Sequence, residues 1–161
     1  MKDSALLLGI GNRWRRDDGV GRVVAGRLKQ KALPHTDIIE AGGEGTELME
    51  IWKDYRSVFL FDAAFSEGWP GTIYWFDASQ QPVPAKFFHG STHDFGPGEA
   101  IELARSLGEL PPHFVVYTIE GKDFGHGQGL SPEAEAAVTN LVKIVEAEIQ
   151  EWIPESVPGS F

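Results

Sequence analysis

The chain has 161 residues, 24 acidic against 14 basic side chains and a formal net charge of −10, so its overall field repels nucleic-acid backbones and anionic membrane surfaces. With 42% hydrophobic residues, five Trp, three Tyr and ten Phe, it is too apolar for a disordered polyelectrolyte, and its length predicts a single domain over residues 1–161 with a core at about 5–150. The absence of cysteine excludes disulfides, thiolate-bound zinc, iron–sulfur clusters and a cysteine nucleophile.

Ala5 to Ile10 is a continuous apolar run ended by Gly11-Asn12, the pattern of a buried strand entering a turn. The run is too short for a signal-peptide core or a membrane span, so a soluble, cytoplasmic protein is expected. Asp17-Asp18-Gly19 follows, then Val20, Val23, Val24 and Leu28 at helical spacing, which predicts an amphipathic helix with an acidic first turn. The unit recurs as a strand over Thr36–Glu40, a glycine loop through Gly42, Gly43 and Gly45, and a helix over Thr46–Tyr55 with Thr46 as its N-cap.

Val58–Phe61 is the most strand-like run and stops at Asp62. Thr72–Phe76 follows through a connection too short for a helical crossover, which predicts that these two strands pair antiparallel. Beyond Gln80–Pro84 lies a loop over Phe88–Gly98 rich in His and Gly. A helix over Pro97–Leu107, a strand over Phe114–Ile119 and a glycine-spaced loop over 121–129 come next. Ser131-Pro132-Glu133 combines an N-cap, proline at the first helical position and early acid. Ala134, Ala137, Val138, Leu141, Ile144, Val145 and Ile149 then trace one face of the final helix. Pro154 and Pro158 end regular structure, with a frayed tail over 153–161.

Alternating strands and helices predict a three-layer α/β/α sandwich: a twisted, mostly parallel five-stranded sheet, helices on both faces and one antiparallel strand. In such sheets ligands bind beyond the carboxyl ends of the strands, where Asp18, Glu40, Asp62 and Glu120 are expected to fall. Gly9-Ile10-Gly11-Asn12 invites a dinucleotide reading, yet the third glycine of that fingerprint would be Trp14, and Asp17-Asp18 would meet the phosphates. A cation suits this edge better. Asp18, Asp62 and the loop histidines His89 and His93 offer oxygen and nitrogen donors suited to nickel, zinc or manganese. His35, His113 and His126 fall in turns or loops, where surface roles are expected. Neither HExxH nor GxSxG occurs, so the familiar zinc-protease and serine-hydrolase engines are missing.

These residues resemble the hydrogenase maturation endopeptidases of the nickel–iron hydrogenases. The matching segments are Gly9–Asn12 with Asp17–Gly21, Glu40–Gly43 with Thr46 and Leu48, Leu60–Ala63, Ser91–His93 and Gly129–Pro132, in family order over about residues 5–150. The resemblance implies removal of a C-terminal extension from a nickel-loaded hydrogenase large-subunit precursor by a cytoplasmic, monomeric protein. Its metal-binding and catalytic positions map onto Asp18, Asp62 and His93, and the nickel is supplied by the substrate. Asn12, Gly42 and Gly43 are the expected substrate-binding positions, the glycines through backbone N–H groups. Water activation is left open between an aspartic-type division of labour and a metal-assisted one. Arg13-Trp14-Arg15-Arg16 departs from the apolar residues common in relatives and is read as a solvated loop rather than a basic lip for the substrate tail. The alternatives are a non-enzymatic metal-sensing or chaperone module that binds the precursor without shortening it, and a nucleotide-binding enzyme.

Overall fold

The computed structural model describes residues 1–88 and 95–152. Five strands form one sheet: β1 (Lys2–Ile10), β2 (Thr36–Ala41), β3 (Tyr55–Ala64), β4 (Ile73–Asp77) and β5 (His113–Glu120). Their spatial order is β2-β1-β3-β5-β4, all parallel except β4, which runs antiparallel to β5. Four α-helices cover the sheet: α1 (Val20–Lys29), α2 (Gly45–Trp52), α3 (Pro97–Ser106) and α4 (Pro132–Glu151). The expected α/β/α sandwich is therefore the architecture of the chain.

Side-chain alternation along the strands creates two cores. Ala5, Leu7, Phe59, Phe61, Val115 and Tyr117 pack against α1 and α4. Leu6, Leu8, Val58, Leu60, Phe114 and Val116 pack against Leu48 and Trp52 of α2 and Ala100, Ile101 and Ala104 of α3. β1, β3 and β5 are apolar on both faces because both faces are buried, the usual condition of a central parallel strand. Each fully buried Leu or Phe contributes about 1.5–3 kcal/mol relative to exposure.

Several expectations are corrected. The strand over 72–76 does not pair with the strand before it: β5 lies between β3 and β4, because β5 is apolar on both faces whereas β4 is half-exposed, with Trp75 open to solvent. β3 does not stop at Asp62 but continues to Ala64, with Asp62 in register with Thr118 of β5. Asp17 and Asp18 lie in a separate 3-10 turn, Arg16–Gly19, and the first turn of α1 holds no acid. Glu44, not Thr46, caps α2, its carboxylate accepting the N–H groups of Thr46 (3.1 Å) and Glu47 (2.8 Å). His113 is not a loop residue. It opens β5, half-buried, with its ring edge-on to Phe59. Ser131 caps α4 as expected, accepting the Ala134 N–H at 3.2 Å. The expected fraying of 153–161 falls outside the described residues.

Candidate active site

Three glycines bring α1 down onto the sheet edge. A Cβ at Gly9 would meet the Gly21 carbonyl and Ala25, one at Gly21 would run into the carbonyl oxygens of Phe61 and Ile10, and one at Gly11, where φ is 135°, would strike the Asp18 carbonyl. The glycines that suggested a pyrophosphate loop are thus consumed by backbone packing within the chain. Their effect is to set the turn carrying Asp18 directly over the ends of β1 and β3.

Asp17 and Asp18 divide between structure and site. Asp17 is fully buried and accepts four hydrogen bonds: from the N–H groups of Lys122 (2.8 Å), Asp123 (3.1 Å) and Ser131 (2.8 Å), and from the Ser131 hydroxyl (2.8 Å). It ties the turn to the loop before α4, helped by Arg15, whose guanidinium donates to the Phe124 carbonyl at 3.1 and 3.2 Å. Asp18 is half-buried, and its Oδ2 accepts the N–H of Asn12 at 3.0 Å. Asn12 in turn accepts the Trp14 N–H on its side-chain oxygen at 2.9 Å.

Asp62 is only 3% exposed. Its Oδ1 accepts the Ala63 N–H at 2.8 Å, while Oδ2 is buried without a partner among the described residues. Burial pushes its pKa well above the ordinary carboxyl range; the Ala63 N–H opposes the shift and the negative charge of Asp18 adds to it. Asp18 and Asp62 thus lie at the same sheet edge, near enough for the charge of one to raise the pKa of the other. Thr118, which sequence reasoning missed, sits opposite Asp62, its own buried hydroxyl without a partner among the described residues. The signal was its parity with Glu120 on a strand otherwise apolar.

The other carboxylates expected at this edge have structural partners. Glu40 lies in β2 and meets Arg13 (3.0 Å), Lys29 (3.6 Å) and Arg22 (3.9 Å). Glu120 ends β5 and accepts the Ser66 N–H (2.9 Å), the Ser66 hydroxyl and the Tyr74 hydroxyl (2.9 Å). Gly43 adopts φ of 109°, and a Cβ at Gly42 or Gly43 would meet no atom within 4 Å. His89 and His93 lie outside the described residues. The chain enters and leaves that segment against the α2/α3 core: Phe88 lies beside Gly98, and the Phe95 carbonyl accepts the Gly45 N–H at 2.8 Å.

Among the described residues no three His, Asp or Glu side chains are grouped to hold a metal ion. Asp18 and Asp62 supply two carboxylates, fewer than the donors a divalent cation takes.

A sequence model described as HycI, hydrogenase maturation protease, matches residues 22–148. The chain belongs to this hydrogenase maturation protease family. A family relative, a putative hydrogenase maturation protease of Methanocaldococcus jannaschii, is 28% identical over 158 residues, spanning 92% of this chain and 98% of that protein. The hydrogenase maturating endopeptidase HybD from E. coli superposes with a TM-score of 0.77 at 26% identity, covering 95% of this chain and 98% of that one. The [NiFe] hydrogenase maturation protease HycI from Thermococcus kodakarensis KOD1 shares the fold, with a TM-score of 0.71 at 21% identity over 92% of this chain and 94% of that one. The maturation protease fold thus accounts for nearly the whole chain, and no helix among the described residues is long and apolar enough to cross a membrane.

Proposed function

We propose that this maturation protease is an endopeptidase that removes the C-terminal extension of a nickel-loaded hydrogenase large-subunit precursor, recognising the substrate's nickel through Asp18, Asp62 and His93. The observation that carries this reading is the Oδ2 of Asp62, buried without a partner among the described residues and beside the charge of Asp18. A carboxyl group in that position is costly to ionise until a cation arrives. Nickel held by the precursor supplies the cation and favours the ionised form of Asp62, whose proton leaves to solvent. A precursor without nickel brings nothing to offset the cost of charging Asp62 and meets a weaker site. Metal recognition thereby acts as quality control.

Cleavage needs a water molecule deprotonated and an amine protonated. Asp62, ionised in the loaded complex, takes a proton from water as the water oxygen bonds to the scissile carbonyl carbon. It then returns that proton to the amine nitrogen as the C–N bond breaks. Asp18, held by the Asn12 N–H, keeps its carboxylate on the metal, and backbone N–H groups at Gly42 and Gly43 receive the substrate strand. The protein works on soluble precursor in the cytoplasm, as a monomer.

Incubating the purified protein with nickel-loaded and nickel-free precursor and following the large subunit on gels and by mass spectrometry tests this. Shortening of the loaded form alone, lost in Asp62→Asn, Asp18→Asn and His93→Ala, is the expected result. Binding of the loaded precursor without shortening would instead identify a non-enzymatic metal-sensing module. Thermal stabilisation by a nucleotide and not by nickel would point to the nucleotide-binding alternative.

A further inference from the structure

A cleft of about 350 Å³ opens beside the Asp18 turn, between α1, the end of β2 and the loop before α4. Arg13, Arg16 and Arg22 line it together with Glu40, and Val23 and Leu130 supply aliphatic surface. We propose that this cleft binds a carboxylate of the polypeptide being processed, Arg13 and Arg16 holding the charge and Val23 and Leu130 the neighbouring aliphatic group. The proposal rests on the endopeptidase reading and adds to it a binding site for the part of the substrate that carries this anion.

Charge counting motivates the assignment. Glu40 is the carboxylate for Arg13, Arg22 and Lys29 together, all within 4.0 Å, and Arg16 lies 3.4 Å from Asp123. Three guanidinium groups therefore line the cleft against one carboxylate, while Lys29 and Asp123 add one charge of each sign at its border and Asp18 stands next to Gly19. Glu133 and Glu135, the nearest acids of α4, are already matched by Lys122 and Arg27. A local positive excess in a chain of net charge −10 marks a place where an anion is attracted against the background field.

Arg16 and Arg22 are also tied down, Arg16 through its backbone N–H and Arg22 through its guanidinium. Arg16 has φ of 47°, a left-handed conformation unusual for a residue with a side chain, and its N–H is fixed by the Gly127 carbonyl at 3.0 Å. Gly127, at φ 128°, leaves room for the Arg16 guanidinium, which a Cβ there would touch at 3.2 Å. Arg22 donates from Nε to the Gly11 carbonyl at 2.7 Å, one residue before the Asn12 N–H that holds Asp18. Gly19, next to Asp18, lines the cleft. The cleft and the turn bearing Asp18, the proposed nickel-binding carboxylate, thus share a wall. Planar guanidinium forks match carboxylates in geometry as well as charge.

Two measurements test the site. The first is processing kinetics of the nickel-loaded precursor. The R13Q/R16Q variant is expected to raise KM about tenfold, the cost of a lost charge-assisted contact, with kcat within about twofold. Lys53→Gln with Lys143→Gln, which removes the same charge elsewhere, leaves KM unchanged. Amidating the precursor's C-terminus, or replacing acidic side chains of its extension by amides, raises KM for the wild type and not for R13Q/R16Q, and whichever does so identifies the source of the carboxylate.

The second is an NMR titration of the full chain with N-acetyl-leucine and, separately, its amide. The acid is expected to shift the arginine Nε–H signals and the Gly129 amide, the amide is not, and R13Q/R16Q abolishes the response. Absence of these shifts, or equal shifts with inorganic phosphate alone, overturns the proposal. So does an unchanged KM in R13Q/R16Q. Specific shifts in a protein that leaves the loaded precursor intact would uphold the carboxylate site and sink the endopeptidase reading instead.

Discussion

Asp62 on β3 and Thr118 on β5 face each other in register on one side of the sheet, and each buries a side-chain oxygen that has no hydrogen-bond partner among the described residues. If the Thr118 hydroxyl donates to Asp62 once that carboxylate is ionised, its removal is felt in processing. Thr118→Val keeps the shape and removes the donor. Thermal stability is expected to hold or rise slightly, because an unsatisfied buried hydroxyl disappears, whereas precursor processing slows by about tenfold. Unchanged processing with unchanged stability would show that the hydroxyl does not serve Asp62.

The raised pKa of Asp62 makes a pH prediction with a definite sign. The folded state holds this proton more tightly than the unfolded chain, so the associated stability is fully present below the ordinary carboxyl value of 3.8 and is lost as pH rises through the folded-state pKa. Asp62→Asn removes that loss. Its melting temperature is expected to exceed the wild type's at pH 7–8 by about 2–4 °C for each kcal/mol recovered, and the two curves should converge towards pH 4. Scanning fluorimetry across that range checks it, and parallel curves would contradict the burial argument. Processing is expected to be lost in the same variant.

The neighbouring acids Asp17 and Asp18 are expected to fail in opposite ways. Asp17→Ala strands four donors and costs about 3 kcal/mol or more, a fall of roughly 6–12 °C in Tm. Asp18→Asn retains an acceptor for the Asn12 N–H, so Tm stays within about 2 °C while cleavage stops. Calorimetry alongside the gel assay separates the two.

Gly21→Ala tests the close approach of α1 to the sheet. The added methyl group meets the carbonyls of Phe61 and Ile10, and α1 has to move away from backbone that cannot yield, at a cost of about 1–3 kcal/mol in urea unfolding. Because α1 continues from the turn bearing Asp18, activity per folded molecule should fall as well. Normal specific activity in the folded fraction would show that the turn is positioned independently of α1.

Much of this molecule is legible in its amino-acid order, since the deciding signals are local. The apolar run ending at Gly11, the Ser131-Pro132-Glu133 start of α4 and the alternation of strand with helix all act within a few residues, and they determine the α/β/α class and which carboxylates collect at one sheet edge. The glycines at 9, 11 and 21 are equally visible, although their purpose is not. What the tertiary structure alone decided concerns partners distant in sequence. β5 enters between β3 and β4 because a strand apolar on both faces gains most from burial on both. Of two adjacent aspartates, the tight turn at Arg16–Gly19 directs one into four donors from the loop before α4 and leaves the other at the site. Glu40 and Glu120 look like candidates in the sequence and are taken up by arginines, Ser66 and Tyr74 only when the chain folds back on itself. Asp62 acquires its raised pKa in the same way, because burial and the nearness of Asp18 are created by packing and not by neighbouring residues along the chain.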